Sequence, residues 1–70
     1  MNWDDLKIVL AIHRSKSMSQ AARMLEIDPS TATRRLAAIE SDLGAILFSR
    51  SKSGLAATDA GQIAIEHALE

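Results

Sequence analysis

The sequence is poor in residue types that several protein classes require. It has no cysteine among its 70 residues, which excludes a disulfide scaffold and thiolate metal ligands and fits a reducing compartment. Trp3 and Phe48 are its only aromatic residues, so aliphatic side chains and alanine must form the core, and a β-sandwich is disfavoured. The longest apolar run, residues 8–12, is too short to cross a bilayer, and the acidic N-terminus does not resemble a signal peptide. We therefore expect one small cytoplasmic domain without membrane contact.

Positive charge is scarce overall but concentrated in the middle of the chain. The formal net charge is -1, whereas nucleic-acid-binding domains are usually strongly basic. Residues 14–52 hold seven basic and four acidic side chains, a local charge of +3, and the two ends together carry -4. The central region is therefore suited to contact a phosphate backbone, although the protein as a whole is not basic.

Apolar spacing and capping residues predict helices in the first half of the chain. Residues 3–14 form the first, and its residues that recur at helical spacing are Trp3, Leu6, Val9 or Leu10, and His13. Ser19 is the predicted N-cap of a second, two-turn helix. The third helix begins after the N-cap Asp28, with Pro29 at its first position, and ends at Gly44. Its predicted buried stripe is Ala32, Leu36, Ile39 and Leu43.

A hairpin and a further helix are predicted after residue 45. Residues 46–48 and 55–57 form the two strands, joined by a tight turn at "SKSG". Thr58 then caps a fourth helix, with Ile63 and Ala64 on its inner side. That helix reaches residue 70 without a stop signal, so we expect a truncated chain in which residues 1–57 form one domain and residues 58–70 begin a linker helix.

The second and third helices and the short turn between them are typical of a helix-turn-helix. On a helical projection, the outward face of the third helix carries Ser30, Arg34, Ala37 and Ser41, with Thr31 and Thr33 on its two shoulders and Arg35 to one side. Arg34 is suited to read guanine in the major groove of DNA, and Arg35 to contact phosphate. The alternative is an exposed helix whose arginines serve only solubility.

The hairpin supplies a second basic element in Arg50 and Lys52. Beside a recognition helix, such a hairpin contacts the sugar-phosphate backbone; the alternative is an ordinary charged turn. No catalytic site is predicted, because the serines lack a recognisable His-acid arrangement. The two histidines are not part of a metal-binding spacing, so neither a metal nor an enzymatic activity is expected.

Three segments together resemble the DNA-binding domain of LysR-type transcriptional regulators. They are "SxSQAAxxL", "TRRLAAIExDLGxxLFxR" and "ATDAG", at the separations typical of that family, and the resemblance spans about residues 3–65. It implies a mainly α winged helix-turn-helix with a three-helix core, a small β-hairpin wing and the start of a C-terminal linker helix. In the longer family members, that helix pairs subunits into dimers or tetramers, and a separate domain binds a small-molecule co-inducer; this chain itself is expected to hold no cofactor.

The resemblance also assigns candidate DNA contacts and reveals departures. Family contacts in the recognition helix fall on Ser30, Thr31, Thr33 and Arg34, and a contact near the wing falls on Arg50. Pro29 stands where many members have a base-reading glutamine, and Lys16 stands where glycine is common. The predicted function is sequence-specific binding of double-stranded DNA by a bacterial transcriptional regulator. The alternative is a helix-turn-helix module that binds a protein partner and not DNA.

Overall fold

The computed structural model describes residues 2–69, apart from the side chain of Leu69, as a mainly helical arrangement with one hairpin. The elements in chain order are α1 (Trp3–Ser15), α2 (Met18–Met24), α3 (Pro29–Leu43), β1 (Phe48–Ser51), β2 (Gly54–Ala57) and α4 (Asp59–Leu69). Helix α1 packs against the other three helices, and α2 packs against α3. This confirms the predicted fold class. The domain boundary at residue 57 stays a prediction, although α4 contributes Ala64 and Ile65 to the same core as α1.

Helix boundaries follow from capping groups that satisfy the free backbone donors of the first turn. The carboxylate of Asp28 accepts from the Ser30 amide at 3.0 Å and begins α3, which ends at Gly44 with φ of 67°, as predicted. The Thr58 hydroxyl accepts from the Gly61 amide at 3.1 Å and begins α4, also as predicted. The predicted cap of α2 was wrong. Ser17, and not Ser19, accepts from the Gln20 amide at 3.2 Å, and α2 begins at Met18, two residues earlier than predicted.

The hairpin β1–β2, which we call the wing, is confirmed, but its first strand begins two residues later than predicted. Phe48 pairs with Ala57 and Arg50 with Leu55 in an antiparallel ladder. Ile46 and Leu47 lie outside the ladder because their carbonyl groups are bonded elsewhere. The Thr58 hydroxyl donates to the Ile46 carbonyl, and the Thr58 amide donates to the Leu47 carbonyl at 2.9 Å.

The core is built mainly from aliphatic side chains, together with Phe48, as the scarcity of aromatics required. Some predictions of inward-facing residues fail. Trp3, Leu43 and Ile63 are 64%, 47% and 58% exposed. Leu43 is the last residue of α3. Ile63 lies about 200° around α4 from the buried Ile65, on the opposite side of the helix. The fully buried large side chains are Ile8, Ile12, Leu47 and Val9.

Candidate nucleic-acid interface

The outward face of α3 is polar because its apolar stripe is used inside. Ala32, Leu36 and Ile39 are buried, which turns the intervening residues of the helix toward solvent. Among the predicted contact residues, Ser30, Thr33, Arg34 and Arg35 are exposed and Thr31 is half-buried. The first two turns of α3 therefore present hydroxyl and guanidinium groups to solvent.

Two of the hydroxyl groups on α3 already donate hydrogen bonds to the start of the helix or its cap. The Ser30 hydroxyl donates to the Asp28 carboxylate, and the Thr33 hydroxyl donates to the Pro29 carbonyl at 3.0 Å. Each hydroxyl oxygen keeps free lone pairs, so in this conformation it can accept a hydrogen bond but has no hydrogen left to donate. Phosphate oxygens require donors, whereas cytosine and adenine present amino donors in the major groove. These hydroxyls are therefore better suited to base edges than to phosphate.

The Asp28 carboxylate lies at the same end of α3, yet it is turned onto the helix. Its pKa is lowered from the usual value, first by the hydrogen bond from the Ser30 side chain, then by the Ser30 amide and the nearby charge of Arg34. The ionised carboxylate is thus occupied by donors of the protein itself. This limits the repulsion that an acidic group at this end would exert on an approaching phosphate.

Arg34 and Arg35 lie on different sides of α3. Arg34 projects from the outward face close enough to Asp28 to influence its ionisation. Arg35 instead lines a shallow depression between α3 and α1, together with Asp4 and Lys7. The two adjacent arginines therefore do not form a single basic patch.

A concave surface that we call the wing cleft brings α3 and the wing together. It is lined by Lys16, Ser17, Met18, Ser19, Thr33, Arg50, Gly54 and Leu55. Two predicted contact residues, Thr33 and Arg50, share this cleft although they are distant in sequence. Its basic side chains are Lys16 and Arg50, and the lining residues include no Asp or Glu. The cleft therefore has a positive lining despite the negative net charge of the chain.

Sequence reasoning did not include Lys16 and Ser19 among the site residues, because their proximity to Arg50 arises only from tertiary packing. The wing is held beside the turn after α1 by a hydrogen bond from the Leu55 amide to the Lys16 carbonyl, at 2.9 Å. Gly54, with φ of 117°, lies so close that an added Cβ would be 2.4 Å from that carbonyl oxygen. Lys52, by contrast, lies in the exposed turn of the wing and does not line the cleft.

A second polar contact, also missed in the sequence, connects α3 to the segment that leads into the wing. The Glu40 carboxylate accepts from the Leu47 amide at 2.7 Å, in a partly buried position just before β1. Hydrogen bonds to a charged group are stronger than those between neutral groups. Glu40 therefore fixes the segment that leads into β1, and with it the position of Arg50 relative to α3.

Residues 2–69 contain neither a candidate metal site nor a membrane-spanning helix. No three His, Cys, Asp or Glu side chains in this part of the chain come together as a possible metal site. No helix among these residues is both long and apolar enough to span a membrane.

Comparison with known proteins identifies relatives with the same domain. Residues 3–62 match the family described as "Bacterial regulatory helix-turn-helix protein, lysR family". The chain is 52% identical over 48 residues to the Mau operon transcriptional activator of Paracoccus denitrificans, covering 69% of the chain and 17% of that protein. It is 41% identical over 66 residues to the HTH-type transcriptional activator TtdR of Escherichia coli K12, covering 94% of the chain and 21% of that protein.

A solved structure with DNA is also similar. The crystal structure of the CbnR_DBD–DNA complex superimposes with a TM-score of 0.89 at 35% sequence identity, covering 99% of this chain and 79% of that one. The four-helix and hairpin architecture is thus that of winged-helix DNA-binding domains. The chain spans about a fifth of the length of the curated relatives that it matches.

Proposed function

This chain belongs to the lysR family of bacterial regulatory helix-turn-helix proteins, and we propose that it binds double-stranded DNA sequence-specifically as the DNA-binding domain of a transcriptional regulator. The observation that carries the proposal is the joint surface of α3 and the wing, where exposed Arg34 and Thr33 lie beside the positively lined wing cleft. An α-helix fits the major groove of B-DNA, and the N-terminal part of a recognition helix reads base edges there. The protein acts by binding and not as an enzyme.

The candidate contacts divide between reading the sequence and holding the backbone. We assign base contacts to Ser30, Thr31, Thr33 and Arg34, because they lie on the outward face or shoulders of the first two turns of α3. Arg35, Arg50 and Lys52 are assigned to the sugar-phosphate backbone, because they flank that face or lie on the wing. Backbone contacts give affinity and orientation, whereas base contacts give specificity.

The proposal extends to assembly and ligand response in a longer, full-length protein. We propose that α4 begins a linker helix through which the full-length protein forms a homodimer or tetramer, and that another domain binds a small-molecule co-inducer. An apolar groove beside α4, which includes Leu43 and Ile63, supports such a contact, since exposed apolar surface of this kind commonly mediates association. A two-fold dimer would read two half-sites one helical turn apart.

Replacement of the two arginines tests the division of roles. Arg34→Ala should reduce discrimination at one base step, by about 1–3 kcal/mol for loss of a bidentate guanine contact. Arg50→Ala should weaken binding to all sequences alike and reduce the slope of log affinity against log salt by about 1. The measurement is a selection of bound sites from random duplexes, followed by titrations over a salt series.

Two results would oppose this assignment. If neither substitution altered affinity at low salt, α3 and the wing would not form the DNA interface. If the wild-type chain bound no duplex at all, the alternative of a protein-interaction module would be favoured.

A further inference from the structure

The backbone of Lys16 adopts a conformation that lysine does not favour. Its φ of 59° and ψ of 21° lie in the left-handed region, where the Cβ of an L-residue is crowded and glycine has no such cost. The conformation ends α1, with the Lys16 amide donating to the Ile12 carbonyl at 2.7 Å. A glycine would make the same backbone bond. The backbone alone therefore gives no reason for a lysine at this position.

The backbone and Cβ of Lys16 lie beside the wing. Lys16 is exposed and lines the wing cleft together with Thr33 of α3 and Arg50 of β1. Its carbonyl group accepts from the Leu55 amide, and its own Cβ would lie only 3.3 Å from a Cβ added at Gly54. The base of the side chain is thus held against β2, and the flexible stem allows the ammonium group to reach a ligand in the cleft.

The charges around the cleft favour an anionic occupant. Arg50 is the other basic side chain in the lining, and no carboxylate there would neutralise the pair. Non-glycine residues held in the left-handed region by the surrounding structure are found preferentially at functional sites. A compact, mobile ammonium group is well suited to a phosphate diester, which needs charge and a donor but no fixed geometry.

We propose that Lys16 is a DNA-phosphate contact, and that it and Arg50 hold the sugar-phosphate backbone from the two sides of the wing cleft. This inference rests on the proposed function, because the phosphate is that of the duplex bound by α3. The contact is independent of base sequence. It increases the affinity for the DNA backbone from the turn after α1, a region that sequence reasoning did not assign to the interface.

The proposal predicts opposite effects of one substitution on folding and on binding. Lys16→Gly removes both the cation and the crowded Cβ, so the melting temperature should stay the same or rise. The slope of log affinity against log salt should fall by about 1, and affinity near 0.1 M salt should fall roughly tenfold, as expected for one lost phosphate contact. The probe is a fluorescent mixed-sequence duplex of about two helical turns, titrated by anisotropy over a salt series.

Matched variants separate the phosphate contact from general effects of charge. Lys16→Asn removes the cation with a residue that tolerates the left-handed region, and should reproduce the binding defect. Lys16→Arg keeps the cation and should keep the slope. Lys7→Gln removes one positive charge on α1, outside the wing cleft, and should leave the slope unchanged.

The outcomes distinguish this inference from the proposed function. If the wild-type chain bound DNA but Lys16→Gly and Lys16→Asn kept its slope, Lys16 would not contact phosphate, and DNA binding would stand. If Lys7→Gln decreased the salt slope by the same amount, the effect would be one of net charge, and the assignment of Lys16 would be overturned. If the wild-type chain failed to bind the duplex, both the function and the contact would be refuted.

Discussion

Arg34 and Arg35 are adjacent in sequence but lie in different surroundings. Arg34 projects near the ionised Asp28 on the outward face of α3, and Arg35 lies beside Asp4 in the depression between α3 and α1. Helical geometry alone predicted that Arg34 and Arg35 point in different directions, because neighbouring residues are about 100° apart around the helix. The residues around Arg35 could not be predicted from the sequence, since they depend on the packing of α1 against α3.

Asp28 gives a residue-scale prediction for pH. Its pKa is lower in the folded chain than in the unfolded chain, so the ionised carboxylate stabilises the folded state above its usual pKa. This contribution is lost as pH falls through the lowered folded-state pKa. Asp28→Ala should therefore lower the melting temperature at neutral pH, and its difference from wild type should shrink below about pH 4. Thermal unfolding followed by circular dichroism across this range is the measurement.

Asp42 provides the control for this prediction, because it lies on the same helix at the opposite end. A carboxylate near a helix C-terminus is disfavoured by the helix dipole, so Asp42→Ala should not lower the melting temperature at neutral pH. A pH-independent difference between wild type and Asp28→Ala would show that the capping charge is not what stabilises α3.

At the scale of elements, capping residues and local backbone preferences predicted where the helices lie. Long-range hydrogen bonds determine where β1 begins. The Asp28-Pro29 start and Gly44 end of α3 were correct, because each is a local backbone preference. Ser17 and Ser19 are both acceptable caps by residue type, so the sequence could not choose between them. The late start of β1 depends on bonds from Thr58 to residues 46 and 47, which local sequence does not reveal.

The contact between α4 and the segment before the wing gives an element-scale prediction. An added Cβ on Gly61 would be 2.0 Å from the Leu47 carbonyl oxygen and 3.2 Å from the Ala57 Cβ. This oxygen is a backbone atom that also accepts a hydrogen bond from the Thr58 amide, so it cannot shift without disturbing that bond. Gly61→Ala should therefore lower the free energy of unfolding by about 1–3 kcal/mol, as overpacking does. Urea denaturation measures this change.

Gln62 is the matched control, because it is the next residue of α4 and is exposed. Alanine is the most favourable residue in a helix interior, so Gln62→Ala should leave stability unchanged or slightly raised. A stabilising effect of Gly61→Ala would mean that α4 does not approach the Leu47 carbonyl this closely.

At the scale of the whole molecule, the basic surface arises from arrangement and not from net charge. The sequence placed excess positive charge between residues 14 and 52, and folding brings Lys16 and Arg50 from the two ends of that region into one cleft. The exposed apolar residues Leu43 of α3 and Ile63 of α4 instead line the separate apolar groove. The sequence was sufficient to identify α3 as the recognition helix, but the wing cleft could be recognised only from the tertiary structure.

The central claim is that α3 and the wing together form a DNA-binding surface. Its most direct test is the change in backbone amide chemical shifts when a duplex is added to the 70-residue chain at low salt. The account predicts large changes at residues 30–35, at Arg50 and at Lys16, with little change at Ile63. Changes confined to Leu43, Ile46 and Ile63, or no change in the first two turns of α3, would contradict it.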